Sequence, residues 1–185
     1  MALACAALLI VGCATQATVP ALPVWRDSST ALRYFDSGAV TSAIYDYAPK
    51  AKVDLSDAQF VAVNHEWAQE LTGWAWDAVR TLSARTDNGR LFHGDTFDCD
   101  KFAKAFSLAA ELSAGRKISD AQVLVGRIYV NQVFAFGGVP AGGAHALNFY
   151  VSDRGIYIVE PQTSKSCPLA EYPNRATIYA VKIGG

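Results

Sequence analysis

The sequence predicts an α+β fold in which N-terminal helices pack on a C-terminal, mostly antiparallel sheet. Apolar residues recur at helical spacing up to about Gly115, and the segment beyond Gln122 is rich in Val, Ile, Tyr and Phe, as strands are. The chain has 185 residues, enough for one domain with a substantial core. Its composition, 51% hydrophobic and 18% charged, argues against disorder.

Charge and motif content exclude several functional classes. The formal net charge is −1, and Lys and Arg are scattered singly, so a nucleic-acid partner is not expected. The sequence contains no GxSxG, P-loop or GxGxxG motif. The pair His65-Glu66 lacks a second His four residues on, so the metalloprotease helix motif is absent, and His65 and His93 are interpreted as structural histidines.

The N-terminus resembles a bacterial lipoprotein signal. Residues 2–11 form an apolar run that is too short for a bilayer-spanning helix, which needs about 20 residues. The run ends at Cys13 in a lipobox-like context, so we expect residues 1–12 to be a signal peptide, lipidated Cys13 to anchor the chain to the bacterial cell envelope, and residues 13–29 to be a tether. The domain would then cover residues 30–185. The alternative is a buried N-terminal helix.

Helices are expected in three places. Residues 30–48 are interpreted as helical or irregular. Ser56-Asp57 indicates a helix start, and residues 58–85 carry apolar side chains at helical spacing, with Gly73 as a possible break into two helices. A further helix is expected to begin within residues 96–99 and to end near Gly115.

Strands are expected in the remainder of the chain. The segments with strand composition or period-two patterning are 122–136, 145–151, 156–160 and 176–183. Between the first two lies a glycine-rich stretch, residues 137–143, which predicts a flexible loop.

Cys99 is the candidate nucleophile because it stands at the expected start of a helix. Unpaired N–H groups in a first helical turn favour the thiolate, the reactive form of cysteine. Asp98 and Asp100 oppose this effect, since neighbouring carboxylates disfavour another negative charge. Either a protonated His145 or a divalent cation held by the carboxylates could offset them. The alternatives are helix capping for both Asp residues and a disulfide with Cys167 for the thiol.

His145 and Glu160 open and close neighbouring expected strands. If the turn between the strands centres on Asp153 and Arg154, Val151 pairs with Ile156. His145 then faces Gln162, with Glu160 as its diagonal neighbour on the same face of the sheet. Either Glu160 or Gln162 could therefore orient the imidazole. A cysteine, a histidine and a carboxylate in this arrangement predict a thiol nucleophile, its base and the group that orients it.

Three segments carry a resemblance to a known family. They are 98–103 (DCDKFA), 145–148 (HALN) and 159–163 (VEPQT). Together they resemble the C-terminal papain-like protease domain of the MOA-type agglutinins. More distantly, the chain resembles bacterial transglutaminase-like cysteine proteases. The resemblance implies a papain-like fold with a Cys99–His145–Glu160 triad and activation by Ca²⁺ or Mn²⁺. From the residues themselves, Gln162 is expected to support the site, and Asp98 and Asp100 are the candidate ligands of a cation.

The expected function is therefore that of an envelope-anchored, cysteine-dependent hydrolase acting on a peptide or protein substrate. The alternative is a non-catalytic envelope-anchored binding module that keeps the fold without the activity. The sugar-binding β-trefoil of the agglutinins has no room in 185 residues, so lectin activity is not expected from the resemblance.

Overall fold

The computed structural model describes residues 18–26, 33–86, 98–115, 118 and 120–184, with the side chains of 82–86 excepted. It contains three α-helices: α1 Ser37–Tyr47, α2 His65–Thr86 and α3 Cys99–Ala114. The strands are β1 Tyr34–Asp36, β2 Lys52–Leu55, β3 Gln59–Val61, β4 Gln122–Val123, β5 Val125–Gln132, β6 Gly143–Ser152, β7 Gly155–Glu160, β8 Lys165–Pro168 and β9 Ile178–Ile183. Two short 3₁₀ turns, Leu169–Glu171 and Arg175–Thr177, lie between β8 and β9.

The strands form two sheets, and the α+β class predicted from the sequence is confirmed. The larger sheet has six strands in the order β2-β9-β5-β6-β7-β8. Only β2 and β9 pair in parallel, and the other neighbours are antiparallel. The smaller sheet has the order β1-β3-β4. The finer, papain-like assignment stays a prediction.

Apolar side chains pack on both faces of the large sheet. On one face α2 and α3 cover a cluster around Trp67, Phe106 and Tyr150. On the other face α1 covers a cluster that includes Leu147 and Phe149. Leu147 and Tyr150 lie on opposite faces of the same strand, β6, so this strand is central to both clusters. Residues in β6 are therefore held from two sides.

The second helix begins later than the sequence pattern predicted. Residues 59–61, expected to be helical, form β3 and pair with β1. Asn64 then caps α2, because its Oδ1 accepts a hydrogen bond from Trp67 N at 2.9 Å. Gly73 does not break α2, which is continuous to Thr86.

Part of the expected tether lies against the helices. The ring of Trp25 is buried and packs edge-on against Trp67, with ring centroids 4.7 Å apart. The carbonyl oxygen of Pro20 accepts a hydrogen bond from Trp74 Nε1 at 2.8 Å. Residues 20–25 thus belong to the packed structure, and Cys13 with the expected signal lies outside the described residues. Within the described part of the chain, no helix combines the length and apolar character needed to cross a membrane.

Candidate functional site

The helix α3 places Cys99 at its first turn. Asp98 caps the helix, because its Oδ1 accepts a hydrogen bond from Lys101 N at 3.3 Å. The thiol of Cys99 is hydrogen-bonded to the side chain of His145 and to the backbone of Ala146 on β6. Both cysteines in the described residues, Cys99 and Cys167, are free thiols. The alternative of a disulfide between them is therefore wrong for this structure.

The β6–β7 hairpin joins the histidine to the carboxylate. Val151 pairs with Ile156, which is the register predicted from the sequence. The imidazole of His145 contacts Glu160, with Nε2 2.7 Å from Oε2. The other carboxylate oxygen, Oε1, accepts a hydrogen bond from Gln162 N at 3.0 Å. Glu160 is fully buried, so its carboxylate is fixed by these two bonds.

The contacts around His145 favour its charged form. Burial lowers the pKa of His145, but hydrogen bonds to Cys99 and Glu160, together with their charges, raise that pKa to about 9. A buried carboxylate beside a histidine is the arrangement that stabilises the imidazolium. At neutral pH the ring is therefore charged.

The same contacts favour the thiolate. Burial raises the pKa of Cys99, and Asp98 also raises it. Hydrogen bonds from His145 and Ala146, with the charge of the imidazolium, outweigh both effects and lower the pKa below its ordinary value of 9.0. Chemically, the arrangement is a thiolate–imidazolium pair held by a carboxylate, and it makes Cys99 reactive towards electrophiles.

The two aspartates near the thiol are occupied by other contacts. Asp98 serves as the cap of α3 and pairs with Lys101. Asp100 accepts a hydrogen bond from Tyr129 Oη at 2.8 Å and pairs with Lys104 Nζ at 2.6 Å. Among the described residues, no group of three or more His, Cys, Asp or Glu side chains is arranged to hold a metal ion. Activation by Ca²⁺ or Mn²⁺ stays a prediction.

Cys99 and His145 open into a cleft of about 250 Å³. The wall opposite them is formed by the loop between β5 and β6, and we call this space the thiol cleft. Its lining residues are Cys99, Gln132, Val139, Pro140, Ala141, Gly142, Ala144, His145 and Gln162. Polar side chains thus face backbone and small apolar groups across a space that admits a small ligand.

Gln132, which the sequence analysis did not single out, holds the wall of the thiol cleft in place. Its Nε2 donates hydrogen bonds to the carbonyl oxygens of Val139, at 3.2 Å, and Pro140, at 2.9 Å. The backbone carbonyl oxygen of Gln132 accepts a hydrogen bond from Gly142 N at 3.0 Å. The loop expected to be flexible is therefore tied to the end of β5. A strand-end glutamine beside a glycine-rich stretch carries no signal that predicts this.

Gly137 packs directly on the carboxylate-bearing residue. It has a φ of +60°, and a Cβ built there would lie 2.9 Å from Glu160 Cβ. Thr163 Oγ1 donates a hydrogen bond to the carbonyl oxygen of Gly137 at 2.6 Å. The loop wall and Glu160 are therefore packed against each other, so a change in one displaces the other.

Replacing Gly137 with alanine should disturb the site more than replacing its neighbour. Both Gly137 and Gly138 have positive φ, so alanine at either position costs about 1 kcal/mol of backbone strain. Only at Gly137 does the new methyl group also press on Glu160, since at Gly138 its nearest neighbour is Thr163 Cγ2 at 3.9 Å. We expect the NMR-measured pKa of His145 to fall in Gly137→Ala and to stay unchanged in Gly138→Ala. Equal values in the two variants would contradict this packing argument.

Comparison with known proteins shows a likeness of fold. Neither the family models nor the curated proteins give a match. Among solved structures, one described as a PSL1a-E64 complex superimposes with a TM-score of 0.59 at 18% identity, over 81% of this chain and 51% of that one. The Polyporus squamosus lectin, bound to the human-type influenza-binding epitope Neu5Aca2-6Galb1-4GlcNAc, gives 0.57 at 18% identity, over 81% and 49%. The chain thus spans about half the length of these neighbours.

These neighbours correct the expected function. One of them is named as a lectin and is bound to a carbohydrate epitope, and neither name describes a hydrolase, a cysteine protease or calcium. The similarity to the fold of the MOA-type agglutinins stands, while the inferred peptidase activity does not. The error has a physical reason: a fold and a hydrogen-bonded Cys–His–Glu arrangement do not by themselves define turnover. At 18% identity the comparison shows the fold alone.

Proposed function

We propose that this chain is a non-catalytic binding module, anchored to the bacterial cell envelope through Cys13, that binds a carbohydrate in the thiol cleft. The observation that carries the proposal is the cleft itself, about 250 Å³ in volume and lined by the side chains of His145 and Gln162. Its position at the end of a rigid sheet, with its wall fixed by Gln132, suits a preformed ligand site.

The chemistry of the cleft suits a ligand rich in hydroxyl groups. The carboxamide of Gln162 offers hydrogen bonds to such a ligand, because a carboxamide can both donate and accept them. Val139 and Pro140 add apolar surface on the facing wall. Hydroxyl groups bind through such polar contacts, while the C–H faces of a sugar ring bury apolar surface.

The lectin among the structural neighbours supports the choice of ligand class. The Polyporus squamosus lectin is bound to the trisaccharide Neu5Aca2-6Galb1-4GlcNAc. A carbohydrate is therefore the class to test first, in place of the peptide expected from the sequence.

The test is a titration of the full-length protein, followed by NMR and calorimetry. The probes are N-acetylglucosamine, its β1,4-linked dimer and the trisaccharide Neu5Aca2-6Galb1-4GlcNAc. We expect saturable shifts of the backbone signals of Gly142, Ala144 and Gln162. Gln162→Ala should weaken binding about tenfold, as loss of one or two hydrogen bonds does.

The matched control is Gln59→Ala, which removes an exposed carboxamide on β3 and should leave affinity unchanged. Absence of binding by all three probes would contradict the proposal. Hydrolysis of a peptide by the wild-type protein, lost in Cys99→Ala, would contradict its non-catalytic part.

A further inference from the structure

Carbohydrate binding gives no role to one feature of the thiol cleft, the charge pair of Cys99 and His145. Binding of a sugar needs the carboxamide of Gln162 and the apolar wall, and neither depends on a thiolate. Stability does not account for the pair either, because replacing buried charges by apolar groups of similar volume is often neutral or stabilising. A nucleophile that is kept charged at the side of a cleft points instead to chemistry at its sulfur atom.

The sulfur of Cys99 is both activated and accessible. Cys99 is partly exposed, and it lines the thiol cleft together with His145. Hydrogen bonds to the imidazole of His145 and to the backbone of Ala146 hold the sulfur and favour its thiolate. Oxidation of cysteine follows thiolate character and exposure, because the thiolate is the form that attacks an electrophilic oxygen. Cys99 therefore meets both conditions for oxidation.

His145 carries the proton that such a reaction needs. Its Nε2 lies 2.7 Å from Oε2 of the buried Glu160, and the contacts with Glu160 and Cys99 keep the ring charged at neutral pH. Since Nε2 faces Glu160, Nδ1 is the ring nitrogen available to the thiol. When the O–O bond of a peroxide breaks, the leaving oxygen takes up a proton, and an imidazolium beside the sulfur is placed to donate it.

Cys167 is a thiol in the same chain that lacks these contacts. It is partly exposed on the edge strand β8, and it packs against the apolar cluster that α1 covers. Burial and the charge of Glu171 raise the pKa of Cys167 to about 11, so its thiolate is scarce at neutral pH. Because both thiols are free, Cys99 and Cys167 form a matched comparison within one molecule.

We propose that Cys99 is a site of reversible oxidation by hydroperoxides, and that the oxygen it gains lies in the thiol cleft. The thiolate sulfur attacks the hydroxyl oxygen of the peroxide, so that an S–O bond forms and the O–O bond breaks. Sulfur is oxidised to a sulfenic acid, and the peroxide is reduced to an alkoxide or hydroxide. This anion takes the proton of His145 and leaves as an alcohol or water. The chemistry does not depend on carbohydrate binding.

The test is oxidation of the full-length protein by hydrogen peroxide at pH 7. Dimedone traps the sulfenic acid, and mass spectrometry reads Cys99 and Cys167 separately. The thiolate fraction of Cys99 exceeds that of Cys167 more than about a hundredfold at this pH, because the two pKa values lie below 9.0 and at about 11. Intrinsic nucleophilicity falls with the pKa and removes up to about tenfold of this advantage. We therefore expect Cys99 to be labelled at least about tenfold faster than Cys167.

The controls separate the folded site from the sequence around it. In denaturing urea the two cysteines should be labelled at similar rates, and a preference for Cys99 that persists there would overturn the proposal. Equal labelling in the folded protein, or a product that dithiothreitol does not reduce, would overturn it as well.

A second measurement locates the added oxygen. Without dimedone, oxidation should shift the backbone NMR signals of Gly142 and Ala144, which line the thiol cleft, and Cys99→Ser should abolish these shifts. If Cys99 is oxidised while both signals stay in place, the oxygen does not lie in the cleft and that part of the proposal is refuted.

Discussion

Replacing Asn148 with leucine should lower the free energy of unfolding by about 3 kcal/mol. Asn148 is fully buried, and its Nδ2 lies within hydrogen-bond distance of three acceptors: Ala103 O at 2.9 Å, Ser107 Oγ at 3.1 Å and Gly126 O at 3.1 Å. Leucine has a similar shape but donates nothing, so buried acceptors on α3 and β5 lose their partner. Each such loss costs about 1–3 kcal/mol.

The measurement is urea unfolding followed by circular dichroism. The matched control is Asn131→Leu, because Asn131 is an exposed asparagine on β5. We expect this substitution to change the free energy of unfolding by no more than about 0.5 kcal/mol. A loss of less than about 1 kcal/mol in Asn148→Leu would show that the contacts between β6 and α3 do not depend on the amide. Since these contacts position α3, the variant should also alkylate Cys99 with altered kinetics.

The second large effect is expected from Glu160→Gln. The amide keeps the size of the side chain but removes the negative charge 2.7 Å from His145 Nε2. Burial then acts on the imidazole without this opposing charge, so we expect the pKa of His145 to fall from about 9 towards or below its ordinary 6.5. A neutral imidazole no longer stabilises the thiolate. The pKa of Cys99 should rise. Alkylation of Cys99 by iodoacetamide at pH 7 should then slow about tenfold for each unit by which this pKa rises.

The direction of the pH dependence follows from both shifts. The pKa of His145 is raised from 6.5 to about 9, so its contribution to stability is complete below pH 6.5 and is lost as the pH rises through about 9. The pKa of Cys99 is lowered from 9.0, so its contribution is complete above pH 9.0 and is lost as the pH falls through the lowered value. Because His145 and Cys99 titrate as a pair, their combined contribution to stability is largest between pH 6.5 and pH 9.0.

The experiment is the rate of iodoacetamide labelling of Cys99 against pH, with the His145 titration followed by NMR. Glu171→Gln is the control, because Glu171 is an exposed carboxylate and its loss should not move either curve. If the curves for Glu160→Gln superimpose on those of the wild-type protein, the carboxylate does not set the charge of the pair.

The sequence predicted the parts of the site that depend on local pattern. The start of α3 at Cys99 follows from the cap at Asp98, and the contact between His145 and Glu160 follows from period-two patterning once the hairpin register is fixed. The triad roles taken from the resemblance remain untested, and the peptidase inferred from them is contradicted by the lectin neighbours. The resemblance in three short segments predicted the fold better than it predicted the function.

The missed features depend on contacts between distant segments. The strands β2 and β8 have four residues each, and β8 contains Lys165 and Pro168, so neither shows the composition of a buried strand. The packing of Gly137 on Glu160 and the hydrogen bonds of Gln132 exist only after the β5–β6 loop folds back on the sheet. In β9, a β-bulge at Tyr179 shifts the register by one residue, which period-two patterning cannot reveal.

The strand order of the large sheet also has a temporal consequence. The β5–β8 meander can pair as it is made, because its neighbours in space follow one another along the chain. The edge strand β2 is synthesised early, yet its neighbour β9 is the last of the described strands to appear. Until β9 inserts between β2 and β5, both strands present unpaired backbone groups. During that interval the unpaired edges of the nascent chain can pair with other chains. A chaperone that covers these edges would act at this stage.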